Sequence, residues 1–352
     1  MRNFIKNKIM QKIKNIFYVA TVLIVATLLF SCRKKKAEKT PDDIYVTTPY
    51  NLQYPSYFPA MHIADDNPLT VEGVELGRRL YYEPLLSKGG PNDGKSCSSC
   101  HNQQYGFTIP NSIVLPHINL GFNSNFSWKG AVSGTMEDMM KFEVEDFFAA
   151  TPSYFQQHAE YPTLFKRVFG SETITHKELA YALAQFFRTM ISSNSRFDKY
   201  LRKELQLTPS ELNGFMIFNT EKGDCFHCHT VGLFTNNDFH NIGLDSVFTG
   251  ANIGRTEITG MPTDLGKFKT PTLRNVALRN SFMHDGRFTT LGQVVDHYNF
   301  GVKKSNTLDP IMTKAGKEFG LQLTVFEKND LIAFLNSLTD STFITNTALS
   351  KP

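Results

Sequence analysis

Apolar residues recur at helical intervals in several stretches of the chain and alternate at strand intervals in almost none. Leu179, Leu183, Phe186, Phe187 and Met190 mark one face of a helix. Thr175 and Glu178 stand ahead of them at the spacing of a capping box, where hydroxyl and carboxylate each take a backbone N–H left open at the helix start. The spacing predicts a helix opening at 175 and running to about Ile191. The same signature recurs at Thr208 and Glu211, with Pro209 at the first helical position, ahead of Gly214-Phe215-Met216-Ile217-Phe218. A third start, Thr324 with Glu327, precedes one apolar stripe of Leu331, Phe334, Leu335 and Leu338. An earlier stretch, Gly77-Arg78-Arg79-Leu80-Tyr81 followed by Leu85-Leu86-Ser87, reads as another amphipathic helix. The prediction is a mostly α-helical protein with long loops.

One apolar run is of a different kind. Ile16–Phe30 spans 15 residues behind Arg2, Lys6, Lys8, Lys12 and Lys14, with no acid before it. That is short for a membrane span and right for the apolar centre of an export signal. It ends Leu29-Phe30-Ser31-Cys32, which resembles a bacterial lipoprotein lipobox. The resemblance implies cleavage before Cys32 and lipidation of its thiol. Residues 1–31 are then a signal peptide and 32–50 a tether. The location is the cell envelope, periplasmic or outer-membrane-associated, with the membrane held through the lipid. The alternative is a plain signal or anchor helix with an incidental cysteine.

Setting this leader aside changes the charge. The formal +4 of the 352 residues becomes 32 basic against 33 acidic residues, and beyond residue 39 it is 27 against 32. A mildly acidic body argues against a nucleic-acid partner. With 41% apolar and 20% charged residues the chain is globular, and its length suggests two domains.

The other four cysteines fall in two pairs, Cys97-Ser98-Ser99-Cys100-His101 and Cys225-Phe226-His227-Cys228-His229. Both read C-x-x-C-H, the attachment signature of c-type heme, in which each thiol adds to a vinyl group and the histidine reaches the iron. Composition alone would give such a motif about 0.002 times in this chain, so two are no accident. Zinc is the competing reading, but the pairs lie 128 residues apart and a zinc knuckle does not need the abutting histidine. Cysteine use then closes at one anchor and four thioethers, with none left for a disulfide. Each motif follows a helix, a degenerate repeat that predicts two cytochrome c-like domains, 51–205 and 206–345, each with one covalently bound heme c.

With both motifs in view the chain is similar to the bacterial diheme cytochrome c peroxidase family, which includes MauG-type enzymes that mature tryptophan tryptophylquinone. The matching stretches are Leu76-Gly77-Arg78-Arg79-Leu80 with Leu86-Ser87; Phe187-Arg188-Thr189 with Ser195-Arg196-Phe197-Asp198-Lys199-Tyr200; Phe268-Lys269-Thr270-Pro271-Thr272-Leu273-Arg274-Asn275; and Met283-His284-Asp285-Gly286-Arg287. The resemblance implies that the heme on Cys97, Cys100 and His101 meets peroxide and that the heme on Cys225, Cys228 and His229 receives electrons.

It also suggests site residues. Trp128, the single Trp, stands where the family carries an inter-heme Trp, although Lys129 and Ala131 replace the Asp and Arg expected after it. Otherwise it is a core filler. The acid/base group is expected in Phe142-Glu143-Val144-Glu145-Asp146, with Glu145 first choice and Glu143 the fallback; a solvated acidic face is the alternative. His117 follows His101 by 16 residues, a spacing at which the family closes its first heme, yet counting back from Trp128 does not put it in that place. It is either a sixth iron ligand or a loop histidine. For the second heme the family's ligand register falls on Tyr298, with Met283 a weaker competitor and a core tyrosine the alternative. His284 and Arg274, with Arg287, are expected beside heme propionates or in the space between the hemes. Calcium between the domains is common in the family; here Arg279 and Ser281 stand where a Thr and a Pro supply ligands, and calcium stays open.

Three functions remain. The first is a peroxidase reducing hydrogen peroxide with electrons from a small cytochrome c or cupredoxin. The second is a MauG-like oxidase acting on another protein. The third is a diheme electron carrier with both irons fully ligated.

Overall fold

The computed structural model describes residues 45, 47–318 and 320–352. The signal peptide and Cys32 lie outside the described residues. Among the described residues no helix is long and apolar enough to cross a membrane.

Helices of six residues or more are α1 (Val71–Tyr81), α2 (Met136–Phe142), α3 (Tyr161–Phe169), α4 (His176–Thr189), α5 (Arg196–Leu201), α6 (Pro209–Phe218), α7 (Leu291–Asp296) and α8 (Val325–Asn336). The three capping boxes open α4, α6 and α8 as their spacing predicts. Helix α4 stops two residues before the expected Ile191 because Met190 leaves helical geometry. Among the described residues, strands are two antiparallel pairs of two residues each, β1 (Asn125–Phe126) with β2 (Val132–Ser133) and β3 (Phe239–His240) with β4 (Phe268–Lys269).

Two hydrophobic cores organise these elements. The first gathers Leu76, Leu80, Leu183, Phe186 and their neighbours, where α1 and α2 pack on α4. The second gathers Phe197, Phe218, Phe234, Phe334 and Leu335, where α6 packs on α8. Both helix crossings are closed by a glycine. A Cβ on Gly77 of α1 would lie 2.0 Å from the Ala182 carbonyl oxygen of α4, and one on Gly214 of α6 would lie 1.9 Å from that of Asp330 in α8. No side chain fits at either distance, so the sequence repeat seen at Gly77 and Gly214 is a repeat of close backbone approach.

The cores divide between Met190 and Phe197, ahead of the boundary expected near 206. Phe343 and Leu349, at the C-terminal end, return to the first core. The connecting segment is pinned by Asp340, whose Oδ2 accepts from Ser192 Oγ and from the backbone N–H groups of Ser193 and Asn194. Two buried Arg–carboxylate forks fix the rest: Arg188 on Glu137 at 2.7 Å, and Arg274 on Asp198 at 2.9 Å. Each fork has partners for its fixed geometry, so burial leaves no charge unpaired.

Candidate functional site: two cysteine–histidine cavities

Each C-x-x-C-H motif opens on its own cavity, and the four thiols are free of disulfides. The cavities share a device that orients the histidine. His101 Nδ1 donates to the Phe107 carbonyl at 2.9 Å, and His229 Nδ1 donates to the Phe234 carbonyl at 2.9 Å. Both phenylalanines are fully buried and sit in the left-handed region, at φ 57° and 55°. A bulky residue held there is strained by ~1–3 kcal/mol, and in each case the strain turns a carbonyl toward a histidine. Burial lowers both histidines to about 4, so each ring is neutral at physiological pH. With Nδ1 carrying the proton, the Nε2 lone pair is left to serve a metal. Two free thiols, an adjacent neutral imidazole and an apolar wall fit the chemistry of covalent heme at both places.

The first cavity is lined by Cys97, Cys100, His101, Pro116, Trp128, Met139, Glu143 and Phe187, among others. The fallback carboxylate, not the preferred one, faces it. Met139 and Glu143 are four residues apart and share a helix face, whereas Glu145 points to solvent near Lys141 at 4.0 Å. Between them Val144 is fully buried in the core. Helix α2 ends in a π-helical turn, Glu143–Phe147, which sets this register. Burial pushes the Glu143 carboxyl up to about 7.

His117 also lines this cavity, but on the His101 side. The two rings stack at 3.4 Å between centroids and 13° between planes. His117 thus lies beside the His101 ring, inside the same cavity. Its Nδ1 meets the Tyr81 hydroxyl at 3.1 Å, and its ring packs on Phe187.

The second cavity is lined by Cys225, Cys228, His229, Leu291, Val294, Val295 and Tyr298. Tyr298 occupies another π-helical turn, His297–Gly301, continuing α7. Burial raises its phenol, and among the described residues nothing hydrogen-bonds its hydroxyl. His297 turns away and meets the Ile242 carbonyl at 2.9 Å. Met283 lines the cavity as well. His284 is there too, stacked on Phe268 at 3.5 Å with Nε2 3.1 Å from Asn252. Arg274 is not: it lines neither cavity, being locked in its fork with Asp198 and donating Nε to the Gly232 carbonyl. The expectation that it meets propionates is corrected accordingly. Arg287 is likewise taken up by Asp245 and Asp285.

Trp128 lines both cavities, as do Lys269, Pro271 and Thr272. The indole Nε1 donates to the Ile113 carbonyl at 2.7 Å, and the Trp128 carbonyl accepts from Lys269 N at 2.8 Å. Lys269 was not singled out by its sequence. It is only 4% exposed, and burial lowers its ammonium to about 8. Among the described residues it meets no carboxylate, only the Thr270 carbonyl at 3.3 Å. His240, also missed, lines the second cavity; burial opposes its charge, but Asp309 at 2.5 Å raises it to about 10. Lys269 stands inside the Phe268–Asn275 stretch that resembles the family but was given no role there, and His240 lies in no such stretch.

Residues 71–206 match the family described as di-haem cytochrome c peroxidase. The methylamine utilization protein MauG of Methylophilus methylotrophus is 30% identical over 339 residues, covering 90% of this chain and 94% of that one. The chain belongs to the diheme cytochrome c peroxidase family. Another member, cytochrome c551 peroxidase of Nitrosomonas europaea, is 29% identical over 309 residues, 80% of this chain and 84% of its own. Among solved structures, a MauG-like protein associated with microbial copper homeostasis superposes with a TM-score of 0.77 at 32% identity, covering 86% of this chain and 99% of that one. Membership of a diheme family implies two hemes.

Proposed function

We propose that the chain is an exported peroxidase built of two cytochrome c-like units, each holding one heme c. It reduces hydrogen peroxide with two electrons and two protons to two waters. The first heme is held by Cys97, Cys100 and His101, the second by Cys225, Cys228 and His229. One observation carries the reading: two cavities, each with its histidine turned by the same carbonyl device, meet at Trp128, and among the described residues Glu143 is the one carboxyl lining the first.

Bound heme supplies the redox-active iron at which peroxide is reduced. The chain's own residues do the rest. Glu143, ionised in part near neutral pH, takes a proton from one peroxide oxygen and returns it to the other. Phe147, Phe148 and Met139 wall the same cavity around it. Trp128 gives an aromatic path between the cavities. Lys269, which lines both cavities, would offer a buried cation to a heme carboxylate. The electron donor is a small redox protein, and the mildly acidic body favours one of basic charge. Export and tethering follow from the signal-like leader and Cys32.

Steady-state peroxide consumption by the holoprotein with a reduced small donor tests this. Glu143→Gln should lower turnover by about 10²–10⁴-fold with heme spectra retained, and Glu145→Gln should stay near wild type. Retained turnover in Glu143→Gln would remove the acid/base role.

Tyr298 favours a second reading, oxidation of a protein substrate as in the MauG-type branch. If Tyr298 held the second iron, its phenolate would be a hard anionic ligand that stabilises the ferric state and lowers the potential. A protein-oxidising enzyme should react with peroxide from the fully oxidised state and turn over poorly with small donors.

A further inference from the structure

Three consecutive backbone carbonyls, from Ser112 to Val114, meet one guanidinium and one indole. Arg279 Nη1 donates to the Val114 carbonyl at 3.0 Å and Nη2 to that of Ser112 at 3.4 Å. Between them the Ile113 carbonyl accepts from Trp128 Nε1 at 2.7 Å. Arg279 Nε turns back to the Ser281 carbonyl at 3.4 Å. Next to this set, Asn111 and Asn280 pair twice: the Asn280 side-chain oxygen accepts from Asn111 N at 2.7 Å, and Asn280 Nδ2 donates to Asn111 Oδ1 at 3.0 Å. The carbonyls come from the segment that follows the first heme motif, and the arginine comes from the wall of the second cavity.

Carbonyl oxygens grouped without a carboxylate, as those of Ser112, Val114 and Ser281 are around Arg279, suit either a hard metal cation or a guanidinium, since each needs only lone pairs. Arg279 has no carboxylate partner among the described residues. Burial lowers it to about 10, which leaves it charged throughout the neutral range. A calcium ion would need six to eight oxygens. Here the oxygens are engaged, and a fixed positive charge stands among them. Among the described residues, the one group of three acidic or histidine side chains close enough to hold a metal is Glu221, Asp224 and His227, which Lys314 and Lys317 already neutralise. The residues present do not fit the calcium that the family resemblance left open.

We propose that the Arg279 guanidinium is a built-in cation at the seam between the two cavities, taking the place of a bound divalent ion and holding the 112–114 carbonyl run that positions Trp128. Calcium is then neither bound at this seam nor needed by the heme centres. Arg279 acts through its neighbours, so it is a positioning residue. The inference rests on the seam geometry and holds whichever substrate the enzyme takes.

Two arms on the holoprotein test it. In the first, the wild type is dialysed against EGTA and then supplied with calcium chloride. Heme absorption, EPR and melting temperature should stay unchanged at both steps, and metal analysis before chelation should find no stoichiometric calcium. One calcium per chain, or a spectrum or melting temperature that moves on chelation and returns with calcium, would overturn the proposal. In the second, ultraviolet resonance Raman reads the indole N–H of the single Trp. Arg279→Ser should lose the hydrogen-bonded signature, and Arg279→Lys, which keeps the charge, should recover part of it. A Trp128 signature unchanged in Arg279→Ser would overturn the positioning role. If Arg279→Ser fails to accumulate, the chelation arm and Arg279→Lys still decide.

Discussion

At neutral pH the Glu143 carboxyl, raised to about 7 by burial, is divided between acid and carboxylate. Only the carboxylate can take the first proton from peroxide, so activity should depend on its titration. We expect kcat/KM for peroxide to fall as pH drops through about 7 and to level off above it. In Glu143→Gln this limb should vanish along with most of the rate; a limb that persists belongs to another group. Tyr298 is the second decisive side chain. Tyr298→Phe removes the only oxygen on the ring and should change the EPR and absorption of the second heme; unchanged spectra would make Tyr298 a packing residue. The two cysteine–histidine motifs stand out in the sequence because heme attachment would demand a fixed local spacing. Glu143 over Glu145 was not, since the choice depends on which face of α2 meets the cavity. Met139 at i−4 and the apolar Val144 held that information, but only helix register exposes it.

The elements repeat between the halves more closely than the sequence does. Each half has a helix crossing closed by a glycine, a histidine turned by a strained phenylalanine carbonyl, and a π-helical turn that delivers one side chain to its cavity. Such turns widen a helix by one residue and recur at functional sites. The crossing is the simplest to test. Gly214→Ala gains about 1 kcal/mol of helix propensity. It also places a methyl 1.9 Å from the Asp330 carbonyl oxygen, so α6 must move off α8. Overpacking of this kind costs about 1–3 kcal/mol, and the clash with rigid backbone puts it at the upper end. The net effect should be a lower denaturant midpoint, while Leu212→Ala on the exposed face of α6 leaves it near wild type. A stabilised Gly214→Ala would show that the helices can separate freely. Helix starts were readable because capping boxes are local signals. The shared Phe-Thr after each motif, Phe107-Thr108 and Phe234-Thr235, was in the sequence too, but its role needs the positive φ that only the folded backbone shows.

Across the whole molecule, Trp128 and Lys269 join the two cavities, and the forks of Arg188 and Arg274 hold the surrounding chain. Arg274 illustrates what sequence order hides. Its place in a motif beside a heme wall suggested a propionate, yet its partner Asp198 lies 76 residues earlier and takes the whole guanidinium. The central claim is that both cavities hold covalently attached heme, and the mass of the intact, denatured holoprotein tests it most directly. The account predicts a chain carrying two hemes that acid–acetone does not extract, falling to one in Cys97→Ala/Cys100→Ala and to one in Cys225→Ala/Cys228→Ala. A wild-type chain with one heme, or with none after extraction, would contradict it.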